Sequence, residues 1–299
     1  MNIAEFNYYL PKELIAQQPA KPRDHSRLMV LDRKTGKISL RFFYQIGEFL
    51  KAGDVLVMNK SKVIPARLIG KKEKTGGKVE VLLLRPNLSN LSNYRWVKNW
   101  RIIGRPGLKV GEKILFPLGL IGEVKKVFNY ERLIEFNFSG EKLKSLIDRI
   151  GQAPTPPYIK RISNLKEYQT IYASSPGSVA APTAGFHFTK RLIKKLKKQG
   201  VIFRFITLHV GLGTFKPIKT EKIEDHQMEK EWVEIDRKTA NFLNQAKKKN
   251  QRIIAVGTTV VRALEAFSPK KDCLKSGRNF VDLFIYPPYQ FRFIDALIT

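Results

Sequence analysis

Four histidines supply all the imidazole chemistry of this chain, and two of them stand in unusual company. His187 closes the run Gly177-Ser178-Val179-Ala180-Ala181-Pro182-Thr183-Ala184-Gly185-Phe186-His187-Phe188-Thr189, in which most side chains are small. Small residues bury little apolar area, but they let backbone N–H groups come close to something bound. His209 opens a second such segment, Leu208-His209-Val210-Gly211-Leu212-Gly213-Thr214-Phe215, and a third, Val256-Gly257-Thr258-Thr259, follows an apolar strand. Three glycine-bearing turns at strand ends read as one site. Its imidazoles can move protons, while N–H and hydroxyl groups hold a polar ligand.

The other candidates are weaker alone. His226 lies among acids, with Glu229 and Glu231 just after it, and His25 lies in a loop between Arg23 and Arg27. The sequence contains neither HExxH nor CxxC, so no metal site is expected and no cofactor metal is needed. Gly211-Leu212-Gly213 lacks the third glycine of a dinucleotide fingerprint. Thr258 and Thr259 could present a helix N-terminus to an anion, or could simply cap that helix. Arg262 and Glu265 share a helix face, where they could pair with each other. Tyr286-Pro287-Pro288-Tyr289 imitates the Asn/Asp-Pro-Pro-Tyr loop of amino-methyltransferases, but Tyr286 replaces the polar first residue.

These turns need a scaffold. Residues 10–16 predict a short helix, 27–31 a strand, 42–51 a helix and 55–58 an apolar strand. Between 67 and 138 six short apolar runs follow closely, the pattern of a small antiparallel barrel, and 142–150 predicts a helix that closes it. Gly151 and the proline-rich residues 153–158 then mark a boundary. Beyond it strands (201–210, 252–256, 281–286) alternate with helices capped by Thr189 and Asp236 and one spanning 260–267. The expected fold is a layered α/β domain formed by residues 1–66 and 151–299, with 67–150 inserted as the barrel.

Composition narrows the partners. The 299 residues include 55 Lys and Arg against 26 Asp and Glu, a formal charge of +29. Such a field attracts polyanions, above all nucleic acid. No apolar run approaches the length of a membrane helix, and the single cysteine, Cys273, forbids an internal disulfide. A cytoplasmic monomer is expected.

Ordered blocks along nearly the whole chain carry a resemblance. They include Phe6-Asn7-Tyr8, Arg23-Asp24 with Ser26-Arg27-Leu28, residues 53–57 and 63–67, Pro156-Pro157-Tyr158-Ile159, 168–173, 177–189 and 207–215. His226 with Met228 and Glu231, 255–259 with Arg262 and Glu265, and 295–299 complete the series. The sequence resembles the S-adenosylmethionine:tRNA ribosyltransferase-isomerases of queuosine biosynthesis. That resemblance implies an α/β domain with an inserted barrel. It also implies transfer and isomerisation of the ribosyl group of S-adenosylmethionine onto 7-aminomethyl-7-deazaguanine at a tRNA wobble position. Epoxyqueuosine forms, adenine and methionine leave, and S-adenosylmethionine is a consumed substrate, so no cofactor is implied. Such chemistry needs a base, a proton donor for adenine and donors to developing negative charge. His187 and His209 are the first candidates for the acid and base, with Glu231 and His226 as competitors. Thr183, Gly185, Gly211, Gly213, Thr214, Gly257, Thr258 and Thr259 would line the pocket, supported by Asp54, Arg67 and Arg262. Two departures accompany the match: Glu229 stands where the family commonly has a second histidine, and the family continues past the match to 295–299 with an Asn-Phe-His-Leu-Pro motif and an apolar helix. The alternatives are an S-adenosylmethionine-dependent RNA methyltransferase and a catalytically inactive tRNA-binding module lacking that C-terminal segment.

Overall fold

A computed structural model of the chain describes residues 1–87, 96–154, 159, 165–211, 213, 218 and 220–299. Short 3-10 turns precede a hairpin of β1 (Arg27–Leu31) and β2 (Ile38–Phe42). Next come β3 (Val55–Asn59), β4 (Ser61–Val63), β5 (Arg67–Lys72), β6 (Lys78–Pro86), β7 (Asn99–Arg105), β8 (Lys113–Leu115), β9 (Ile121–Phe128), β10 (Glu131–Phe136) and α1 (Gly140–Ile150). The remainder holds β11 (Ser175–Ser178), α2 (Lys190–Lys198), β12 (Ile202–His209), β13 (Glu231–Ile235), α3 (Arg237–Lys248), β14 (Ile253–Val256), α4 (Thr258–Ala266), β15 (Gly277–Val281) and β16 (Ala296–Ile298).

Strands β5 to β10 close into a six-stranded barrel in which every neighbouring pair is antiparallel. Their alternation puts Leu68, Val81, Leu83, Ile102, Ile114, Val124 and Ile134 inside, and Leu143 and Ile147 of α1 join that core. The other large sheet has the order β15-β13-β12-β3-β14-β16. β12, β3, β14 and β16 run parallel, while β13 runs against β12 and β15 against β13. All five residues of β3 are buried, as a strand covered on both faces requires. Val55 and Val57 face α3 and α4, whereas Leu56 and Met58 face Leu192 and Leu196 of α2. The result is an α/β layered protein carrying a barrel.

Several local expectations need correction. Residues 12–14 and 43–49 form 3-10 turns, not α-helices. In the second turn Gly47 lies so close to α2 that an added Cβ would stand 2.7 Å from Gln199 Oε1. The strand expected at 281–286 is instead β15, Gly277–Val281, because its partner β13 begins at Glu231, directly opposite Val281. Strands β2, β4, β11, β13 and β16 carry no counterpart among the strands expected from the sequence. The two helix caps are formed as expected: Thr189 Oγ1 accepts from Leu192 N at 3.1 Å and Asp236 Oδ1 from Thr239 N at 2.7 Å.

Candidate active site

Parallel strands bring their C-terminal ends to one sheet edge. Here that edge gathers His209 at the end of β12, Gly257 after β14, and Glu231 at the start of the antiparallel β13. The barrel meets this edge through the end of β6. Leu84, Arg85 and Pro86 from the barrel line one pocket with Gly177, His209, Gly211, Glu229, Glu231 and Trp232.

Glu231 is 3% exposed. Its Oε1 accepts from the Gly211 N–H at 2.8 Å, and its Oε2 accepts from Arg262 Nη1 at 2.5 Å. Arg262 spends its other donors on backbone carbonyls, including that of Leu283 at 3.1 Å. Burial pushes the Glu231 carboxyl above its ordinary value, and Arg262 and the Gly211 N–H pull it back only in part. His209 stacks on Trp232, with centroids 5.0 Å apart and planes 17° apart. Burial lowers its pKa from 6.5 to about 3, so its imidazole is neutral across the physiological range. One buried environment thus moves two groups in opposite senses, leaving a proton-seeking carboxylate beside an uncharged ring.

His187 occupies different surroundings. It ends the turn Thr183–His187 ahead of α2, with its Nδ1 2.6 Å from Ser26 Oγ and its ring 5.1 Å from that of Phe43. Burial lowers its pKa too; a hydrogen bond with the Arg23 backbone opposes that shift, and the Arg23 charge adds to it more weakly. This turn touches the Gly257 loop, since a Cβ on Gly257 would stand 3.6 Å from that of Ala184. Gly257 itself has a φ of +94°, a conformation open to glycine. Thr258 is exposed, while the hydroxyl of Thr259 is buried with no hydrogen-bond partner among the described residues. Neither caps α4 with its side chain; the N-cap is Gly257. A ligand hydroxyl or anion at this turn would satisfy the Thr259 oxygen.

The remaining expectations separate cleanly. Thr183 is exposed on its turn. Gly185 is there for packing, because an added Cβ would lie 1.9 Å from the Tyr172 hydroxyl. Gly213 packs against Glu229, and Thr214 lies outside the described residues, as do Phe215 and residues 155–158. Asp54 does not reach this edge. It precedes β3 at the opposite end of the sheet, bound to Arg252 at 2.5 and 2.9 Å. Arg67 is likewise committed, to Glu80 at 2.7 Å and to Gln152 at 3.2 Å. His226 packs edge-on against Phe284, 4.9 Å away. Arg262 does not pair with Glu265, which instead accepts from the N–H groups of Arg292, Phe293 and Ile294. Tyr289 also donates to Glu265, at 3.4 Å, so the Tyr286–Tyr289 stretch is part of that anchored loop. Sequence reasoning missed Trp232 and the barrel residues at the pocket. Among the described residues no cluster of metal-ligating side chains occurs, and no helix is long and apolar enough to cross a membrane.

Together these features define an α/β protein with a closed barrel, in which a buried carboxylate and a buried imidazole line one pocket where barrel and sheet meet. The family model described as queuosine biosynthesis protein matches residues 3–299, and the chain belongs to that family. It is 47% identical over 304 residues to the S-adenosylmethionine:tRNA ribosyltransferase-isomerase of Halothermothrix orenii, covering 100% of this chain and 86% of that protein. The protein of the same name from Carboxydothermus hydrogenoformans is 47% identical over 303 residues, with the same coverage of both chains. A solved S-adenosylmethionine tRNA ribosyltransferase from Thermotoga maritima is 34% identical, covering 98% of this chain and 82% of that one, at a TM-score of 0.48.

Proposed function

We propose that this chain is an S-adenosylmethionine:tRNA ribosyltransferase-isomerase. In this reading it transfers and isomerises the ribosyl group of S-adenosylmethionine onto 7-aminomethyl-7-deazaguanine at the wobble position of a tRNA, giving epoxyqueuosine, adenine and methionine. Beyond family membership, one observation carries the reading: a buried carboxylate of raised proton affinity and a neutral imidazole share a pocket at the junction of the two lobes. The sulfonium of the donor acidifies the neighbouring ribose carbon, and Glu231 is the group suited to take that proton. His209, uncharged, acts as a hydrogen-bonding partner to the reacting sugar, not as a resident imidazolium. The backbone N–H groups of the Gly257 turn and the Thr259 hydroxyl hold polar atoms of the donor, with His187 alongside. The excess positive charge serves the tRNA.

The test is direct. Incubation with S-adenosylmethionine and deazaguanine-bearing tRNA is expected to release adenine and methionine stoichiometrically with a modified nucleoside of the mass of epoxyqueuosine. Donor labelled in the ribose should leave its label on the tRNA. Label arriving only from the methyl group would make the protein a methyltransferase, and tRNA binding without adenine release would leave it a binding module.

A further inference from the structure

The barrel surface beside the pocket carries side chains that the chemistry above does not use. Arg85 of β6 and Arg101 of β7 lie opposite each other in the ladder, and both address one carboxylate, Glu131. Arg85 binds it through two nitrogens at 3.2 and 3.1 Å, whereas Arg101 stops 3.9 Å short. Two guanidinium groups against one carboxylate leave a net positive charge. Arg101 instead lies over the Phe128 ring, its Cζ 3.5 Å from the centroid. Phe128 and Tyr130 flank the tip of the β9–β10 hairpin and are 38% and 46% exposed. From that tip Tyr130 donates to Glu229 at 2.5 Å, and Glu229 and Arg85 both line the pocket. The hairpin tip therefore stands on the rim of the site.

Exposed aromatic rings add nothing to the barrel core. Beside guanidinium planes with excess positive charge, they form a surface that takes unstacked bases and the phosphates between them. An acidic peptide would use the charge but not the rings. A duplex stem would be met by spread lysines such as Lys194, Lys195 and Lys198 on the outer side of α2, which has no exposed ring among them. We propose that Arg85, Arg101, Phe128 and Tyr130 form a stacking platform for the unpaired nucleotides flanking the base that enters the pocket. This assignment rests on the tRNA reading above.

The probes are a synthetic RNA hairpin with the sequence of an anticodon stem and loop, and the blunt stem duplex alone, followed by fluorescence anisotropy with the full chain. Arg101→Gln and Phe128→Ala are each expected to weaken hairpin binding about tenfold and leave duplex binding unchanged. Phe128→Trp should restore the hairpin affinity, and a thermal melt of each variant separates local loss from misfolding. In turnover, the KM for tRNA should rise while that for S-adenosylmethionine holds. Hairpin affinities within twofold of the parent for both variants would overturn the platform, as would a parent that prefers the duplex. Loss of binding only on Lys194→Gln with Lys198→Gln would move the RNA to α2 and overturn it as well. If the variants lose the hairpin as expected but the parent releases no adenine, the platform stands and the proposed reaction fails.

Discussion

Glu231→Ala is expected to lose about 3–5 kcal/mol of stability in a denaturant titration, because it leaves Arg262 charged and buried without its partner. The pair cannot be rescued by water, since Glu231 and Arg262 are 3% and 9% exposed. Glu231→Gln separates structure from chemistry. The amide keeps the shape and can still accept from Arg262, so the fold should survive with a smaller loss. It cannot take a proton, however, and adenine release should fall by about 10²–10⁴-fold. Arg262→Ala made in the Glu231→Ala background should cost less than in the parent, because the two groups act as a unit. A Glu231→Gln enzyme that turns over at the parental rate would remove the carboxylate from the reaction and leave it a purely structural anchor for the Gly211 turn.

His209→Phe is the second large expectation. Phenylalanine preserves the stack on Trp232 but offers no nitrogen, so turnover should fall about 10²–10³-fold, as for loss of a preorganised hydrogen-bonding group. The same substitution has a pH signature. His209 has a folded pKa of about 3 against 6.5 when unfolded, so the unfolded chain binds this proton more tightly. Its contribution is therefore fully present above pH 6.5 and is lost as pH falls toward 3, a total of about 5 kcal/mol. His209→Phe should flatten that part of the stability profile. For the same reason the parental kcat/KM should show no acid limb near 6.5 arising from this residue. A parental profile with such a limb, abolished by His209→Phe, would mean that the ring is protonated in the working enzyme.

What could be read from the chain divides along physical lines. Long apolar runs with clear caps, such as β12 with Thr189 ahead of α2, announce themselves because pattern and cap agree. The barrel was legible from run length alone. Short strands were not: β16 has only three residues, and Ala296-Leu297-Ile298 has no alternation to display. Glycine turns told where backbone approaches something, but not whether that something is ligand or protein. Gly185 and Gly257 look alike in sequence, yet one is pressed against Tyr172 and the other has a positive φ before a helix. Asp54 failed for a related reason, since a Gly-Asp before a strand can sit at either edge of a sheet. Glu231 and Arg262 were both named among candidates, but the only pairing that spacing suggests for Arg262 is with the nearer Glu265, because helical spacing hides a contact made across the sheet. Arg85 and Trp232 were invisible, because only the closed barrel brings the end of β6 to His209.

The placement of the barrel within the chain also sets an order of assembly. Its six strands find all their partners between Arg67 and Phe136, and its two chain crossings are tied by reciprocal backbone bonds between Arg67 and Gln152, at 3.2 and 2.8 Å. The large sheet must instead join Val55 to Ile202 and to Ile253, across the entire inserted segment. Closing the barrel first draws those distant partners together and shortens the effective loop each pairing has to close. Pulse-labelled hydrogen exchange during refolding should therefore protect barrel amides before those of β3, β12 and β14, and the reverse order would refute it. A nascent chain then holds a finished barrel before the sheet edge beside it exists, and Glu231 meets Arg262 only when the last helix arrives.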